Sequence, residues 1–133
     1  MSEVTFPKGL VKIIVPFPPG GPTDILARQV ATKLQERWGQ PVVLDFKPGA
    51  GTVIGVDAVA KAAPDGYTLG MVNTSVAINP SLKKKLPYDT GKDIAGVTQM
   101  ASLQLGMVAR PDAPFATTQE LIDYAKRNPG KVT

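Results

Sequence analysis

Short apolar runs separated by turn residues set the rhythm of this chain. Leu10–Val15 reads LVKIIV, rich in β-branched residues and bounded by Gly9 and Pro16, which predicts a strand covered on both faces. Ile25, Leu26, Val30, Leu34 and Trp38 then recur at helical spacing, with Arg28, Lys33, Glu36 and Arg37 mostly between them. This predicts an amphipathic helix closed by Gly39. Val42–Phe46 predicts a second strand, and Ala50–Ala63 a helix of small apolar residues stopped by Pro64, Asp65 and Gly66. Tyr67–Asn73 predicts a third strand. Strand, helix, strand, helix, strand with short connections implies a parallel βαβαβ core with right-handed crossovers, an α/β fold.

Beyond this the pattern loosens. Asn79–Leu86 predicts a short helix before a turn at Pro87–Asp89, and Ile94–Ala109 is apolar enough for one long strand or two short ones. Thr117 and Glu120 make the capping pattern T-x-x-E ahead of Leu121, Ile122, Tyr124 and Ala125, so a helix is expected to about Asn128, before Pro129 and Gly130.

Composition narrows the chemistry. At 133 residues and 43% hydrophobic content the chain can fill one ordinary core, so disorder is not expected. Lys and Arg number 15 against 11 Asp and Glu, a mild excess spread along the chain apart from Lys83–Lys85, which reads as a solvated corner. Such a surface helps an anionic partner approach. It shows neither the dense basic face nor the aromatic platform of a nucleic-acid binder, so no nucleic-acid partner is expected. Absence of Cys and His removes thiolate nucleophiles, most zinc sites and the usual general base, and no metal or cofactor is expected. No apolar run is long enough to span a bilayer, and the opening MSEVTFPKGL lacks the features of a secretory signal. The two readings this leaves are a cytoplasmic chain and a mature exported chain with a new Met.

In a parallel α/β sheet the ligand crevice is lined by loops leaving the carboxyl ends of the strands, and here all three loops carry unusual residues. After the first strand come Phe17, Pro18, Pro19, Gly20, Gly21, Pro22, Thr23 and Asp24. Pro22 suits the first helical position and puts Gly21 at the cap, leaving the N–H groups of Thr23 and Asp24 free for a carboxylate or phosphate oxygen. Gly49, Ala50, Gly51 and Thr52 repeat this logic at the second helix, and Asn73, Thr74 and Ser75 add amide and hydroxyl groups. Each loop alone also reads as a plain turn or cap. Asp24 reads first as a complement to the helix dipole, Phe17 as either a ligand cover or a core plug, and Thr52 and Ser75 as either caps or ligand donors. There is no G-x-x-x-x-G-K-[ST] and no G-x-G-x-x-G, and no base near a Ser or Thr, so catalysis is not expected.

The series KIIVPFPPGGPTDILAR, VVLDFKPGAG, AVAKAAPDGYTL, AINPSLKKKLPYD and LIDYAKRNPGKVT, in this order from about Lys12 to Thr133, closely resembles the Bug family of periplasmic solute-binding proteins, receptors of tripartite tricarboxylate transporters. The resemblance implies a two-lobed Venus-flytrap protein that closes over a small organic carboxylate and presents it to a membrane permease. It implies that the loops at Pro16–Asp24 and Gly49–Thr52 hold the ligand largely through backbone groups and water. Where the family usually reads Gly-Ala-Gly-Gly, this chain has Gly49, Ala50, Gly51 and Thr52. Family members are much longer, so the resemblance implies a first lobe over residues 1–98 and the start of a second over 99–133, truncated before that lobe is complete. The leading expectation is a periplasmic carboxylate-binding receptor. The alternatives are a self-associating truncated lobe without useful affinity and a small anion-using enzyme.

Overall fold

A computed structural model describes residues 6–104 and 106–132. β1 (Val11–Val15) lies in the middle of a three-stranded parallel sheet, between β2 (Val42–Phe46) and β3 (Thr68–Gly70). The register runs from Val11 opposite Val42 to Val15 opposite Phe46 on one edge, and from Lys12 opposite Thr68 to Ile14 opposite Gly70 on the other. Parallel neighbours need crossover connections. α1 (Pro22–Trp38) supplies the one from β1 to β2, and α2 (Val53–Ala60) the one from β2 to β3. These crossovers step in opposite directions across the sheet, so right-handed connections place the two helices on opposite faces.

The side-chain alternation of β1 matches that arrangement. Val11, Ile13 and Val15 pack with Ala27 and Ala31 of α1 and with Val42 and Met71, and Leu26, Leu34 and Trp38 close over them. Ile14 points to the other face and is buried there, where Val56 of α2 is buried too. The expected βαβαβ core is therefore present. Within α1 the seat is made by alanines and not by Ile25, which is 57% exposed.

Several boundaries differ from the sequence expectation. β3 covers only Thr68–Gly70 instead of Tyr67–Asn73: the Met71 N–H still donates to the Ile14 carbonyl at 2.9 Å, and then the chain leaves the sheet. The second helix is shorter than Ala50–Ala63, because a tight 3₁₀ turn occupies Ala50–Thr52 and regular helix starts at Val53. The next helix, α3, runs over Ser75–Leu82, earlier than Asn79–Leu86 and with Pro80 inside it. Its start is drawn forward by Asn73, whose Oδ1 accepts the Ser75 N–H at 3.0 Å. No strand forms over Ile94–Ala109 among the described residues, and Val108 is 93% exposed. A strand needs a neighbour to hydrogen-bond, and this segment pairs with none among the described residues.

The chain divides into two compact units, the first ending at Val97 and the second starting at Thr98. In the second, α4 (Thr118–Arg127) begins with the expected capping box: Thr117 Oγ1 accepts the Glu120 N–H at 3.2 Å. Glu120 in turn accepts the N–H groups of Ala116 and Thr117, which holds its carboxyl below the ordinary range. Phe115 packs on Tyr124 with ring centroids 5.6 Å apart.

Within the first unit, one contact seats α2 against the ends of β1 and β2. A Cβ on Gly55 would lie 2.5 Å from Pro16 Cβ and 2.8 Å from the Lys47 carbonyl oxygen. Gly55→Ala is therefore expected to destabilise the chain by about 1–3 kcal/mol in urea unfolding. Gly9→Ala, where nothing lies within 4 Å, is the control and is expected to change little. Equal effects of the two would show that α2 does not sit this close to β1.

Candidate functional site

With strand order β2, β1, β3, the loops after all three strands open at the carboxyl end of one sheet, where α/β folds place their ligands. In the first loop Gly20 has φ +93°, a conformation that only glycine adopts at little cost. Gly21 is extended and caps α1 without a side chain, and Pro22 takes the first helical position, as the sequence predicts. The first intrahelical bond runs from the Ile25 N–H to the Gly21 carbonyl at 3.1 Å. Among the described residues nothing accepts from the N–H groups of Thr23 and Asp24. Two backbone donors at a helix start therefore remain for an oxygen.

Asp24 does more than complement the helix dipole. It is only 5% exposed, and its carboxylate turns back over the loop, where Oδ2 accepts the Gly20 N–H at 2.7 Å. Oδ1 lies 2.7 Å from Arg28 Nε, an ionic contact and not an aligned hydrogen bond. Arg28 is itself held over the Phe46 ring, 5.6 Å from its centroid. The carboxylate is thus neutralised inside the protein, and the Gly20 N–H is spent on it. Phe17 is half-buried and packs against the β1 and α1 core.

The second loop is left-handed throughout. Gly49 has φ +128°, and Ala50, Gly51 and Thr52 follow at +50°, +63° and +75°. For Ala50 and Thr52 that backbone costs about 1 kcal/mol or more each, so their surroundings must hold it. They do so through a polar chain that joins this loop to the third. Thr52 Oγ1 is 2.9 Å from Ser75 Oγ, and Ser75 Oγ donates to Asn73 Oδ1 at 2.6 Å. A hydroxyl has one proton, so Thr52 is the donor to Ser75. Asn79 Nδ2 donates to the Gly51 carbonyl at 3.0 Å and reaches Thr52 Oγ1 at 3.5 Å.

The structure therefore brings together Gly49, Ala50, Gly51, Thr52, Asn73 and Ser75, and it consumes both hydroxyl protons internally. Thr74 caps α3 with its carbonyl, which accepts the N–H groups of Ala77 and Ile78, and its side chain makes no capping bond. Besides backbone N–H groups, the donors left on these loops among the described residues are the Thr23 and Thr74 hydroxyls and the Asn73 side-chain amide. Two contributors escaped the sequence reading. Asn79 is 5% exposed, and the available signal was a lone amide in the apolar helix SVAINPSL. Lys83, read as part of a solvated corner, is half-buried and reaches the second loop. No group of three His, Cys, Asp or Glu is placed to hold a metal among the described residues.

Residues 26–133 match the family described as the tripartite tricarboxylate transporter family receptor. The chain belongs to this receptor family. A UPF0065 protein of Bordetella pertussis is 44% identical over 131 residues, which is 96% of this chain and 40% of that protein. The solved periplasmic binding protein BugD superposes with a TM-score of 0.74 at 34% identity, covering 92% of this chain and 41% of BugD. A protein of R. palustris solved with adipate gives 0.76 at 31% identity, covering 93% of this chain and 42% of its own. The α/β fold is thus that of Bug-type periplasmic binding proteins, in part, and the chain spans about two fifths of the length of the curated relatives it matches.

The polar chain makes a measurable claim about this receptor lobe. Asn79→Ala is expected to cost about 1–3 kcal/mol, because it strips the donor from a carbonyl that has turned inward. Hydrogen exchange should also quicken at Thr52 and Val53. Unchanged exchange there would mean that the left-handed turn holds itself.

Proposed function

We propose that this chain carries the first lobe, and the start of the second, of an extracytoplasmic solute-binding receptor of a tripartite tricarboxylate transporter. In this reading it works in the periplasm with the transporter's membrane permease, and its ligand is a small organic carboxylate. The observation that carries the proposal is the pair of unspent N–H groups at Thr23 and Asp24, on a helix start capped by glycine. A carboxylate oxygen satisfies both donors and the helix dipole together. The similarity to a protein solved with adipate supports the ligand class.

Gly21→Val tests the location. The backbone there, φ −85° and ψ 174°, suits any residue, and a Cβ would have its nearest neighbour at 4.0 Å, so the lobe is expected to fold. The added bulk stands in front of the first loop. Calorimetric titration with adipate is expected to show saturable binding that weakens by roughly tenfold or more in the variant. Equal affinity would move the ligand off this loop, and no heat with any di- or tricarboxylate would overturn the proposal for this chain.

A second reading, self-association, is favoured by one observation. Val97, Leu103, Met107 and Val108 are exposed along a segment whose pattern is that of a strand. Sedimentation is expected to show a concentration-dependent dimer that Leu103→Asp with Val108→Asp returns to monomer. A monomer at all concentrations would dismiss this reading.

A further inference from the structure

Lys83, Lys84 and Lys85 follow one another directly, yet the structure treats them differently. α3 ends at Leu82, and the Lys83 N–H closes it by donating to the Asn79 carbonyl at 2.9 Å. Lys84 and Lys85 are exposed, whereas Lys83 is half-buried because its side chain lies over the second loop. A Cβ on Gly51 would sit 3.6 Å from Lys83 Nζ and 3.8 Å from its Cε. At these distances a Cβ would be in ordinary contact with the lysine, so the head group lies against the turn at Gly51.

The ammonium has no counter-charge there. Lys12, Lys33, Lys47, Lys61 and Lys92 each meet a carboxylate within 4 Å, and among the described residues Lys83 meets none. Ordering a lysine side chain costs up to about 2 kcal/mol of rotamer entropy, and placing its head group at a half-buried turn sacrifices hydration as well. Asp24, the carboxylate on the first loop, is already engaged by Gly20 and Arg28. A single unpaired cation therefore stands at the left-handed turn of a site whose other free donors are neutral N–H and hydroxyl groups.

We propose that Lys83 is a ligand-contacting residue that selects for a second carboxylate on the solute, an inference that rests on the carboxylate-receptor reading above. One carboxylate lies on the N–H groups of Thr23 and Asp24, and the other meets the Lys83 ammonium at Gly51. The chain would then prefer a dicarboxylate to a monocarboxylate of equal length. The competing role for Lys83 is purely structural, a cation at the carboxyl end of α3, which would affect stability and leave affinity alone.

The test compares adipate with hexanoate, of the same chain length and one carboxylate fewer. Each is titrated into the chain at millimolar concentration while amide NMR shifts are followed at Thr23, Asp24 and Gly51. In the unsubstituted chain adipate is expected to move all three, and hexanoate only the first two. Lys83→Met is expected to weaken adipate roughly tenfold, erase the Gly51 response and leave hexanoate unchanged. Lys83→Arg should restore most of the loss, and Lys84→Met should cause none. Adipate bound equally by the unsubstituted chain and Lys83→Met, with Thr23 and Asp24 responding in both, would overturn the role of Lys83 while the receptor reading stands. Silence at all three amides with both acids would overturn the two together.

Discussion

β1 is hydrogen-bonded along both edges and covered on both faces, and the geometry of the candidate site follows from that. Val11 and Val15 are wholly buried on the α1 face and Ile14 is buried on the other. Each such side chain contributes about 1.5–3 kcal/mol of apolar burial, enough to fix which residues face which helix. With the register fixed, the chain must leave β1 at Pro16, where Gly55 of α2 comes too close for any side chain to intervene. That contact carries α2 onto the base of the first loop. Three loops far apart in sequence thus open at one end of one sheet.

The second loop shows how a strained backbone is kept. Left-handed Ala50 and Thr52 would relax if nothing held them, and what holds them is the sequence of donors from Asn79 through Thr52 and Ser75 to Asn73. Both hydroxyl protons in that sequence are used. Thr52 and Ser75 cannot also act as hydroxyl donors to a solute, so in the proposed reading recognition falls to main-chain N–H groups, the side-chain donors left over and charge. A loop built this way is rigid without offering side-chain chemistry.

Local patterns made the core legible. β-branched runs located β1 and β2 to within a residue, Gly21 with Pro22 marked the start of α1, and Thr117 with Glu120 marked that of α4. Each of these signals is complete within a few neighbouring residues. The misreadings share the opposite property. Asn79 acts on Gly51, 28 positions away, and Thr52 acts on Ser75, 23 positions away, so neither role leaves a trace in local spacing. The return of Asp24 to Gly20 spans four residues, but it depends on the loop already being folded. Ile94–Ala109 has the composition of a strand and lacks a partner among the described residues, because pairing is a property of two segments and not of one.

Electrostatics explains why a carboxylate beside the first loop does not spoil it for an anion. An unpaired Asp24 would oppose any anion arriving at the start of α1. Tied to the Gly20 N–H and to Arg28, it contributes little net field outward, and the helix start keeps its partial positive character. Backbone donors of this kind accept any oxygen of suitable reach and carry little information about the rest of the solute. In the proposed reading, discrimination then comes from the few full charges placed near them. In this lobe Asp24 is silenced from within, whereas the Lys83 ammonium beside Gly51 meets no carboxylate among the described residues.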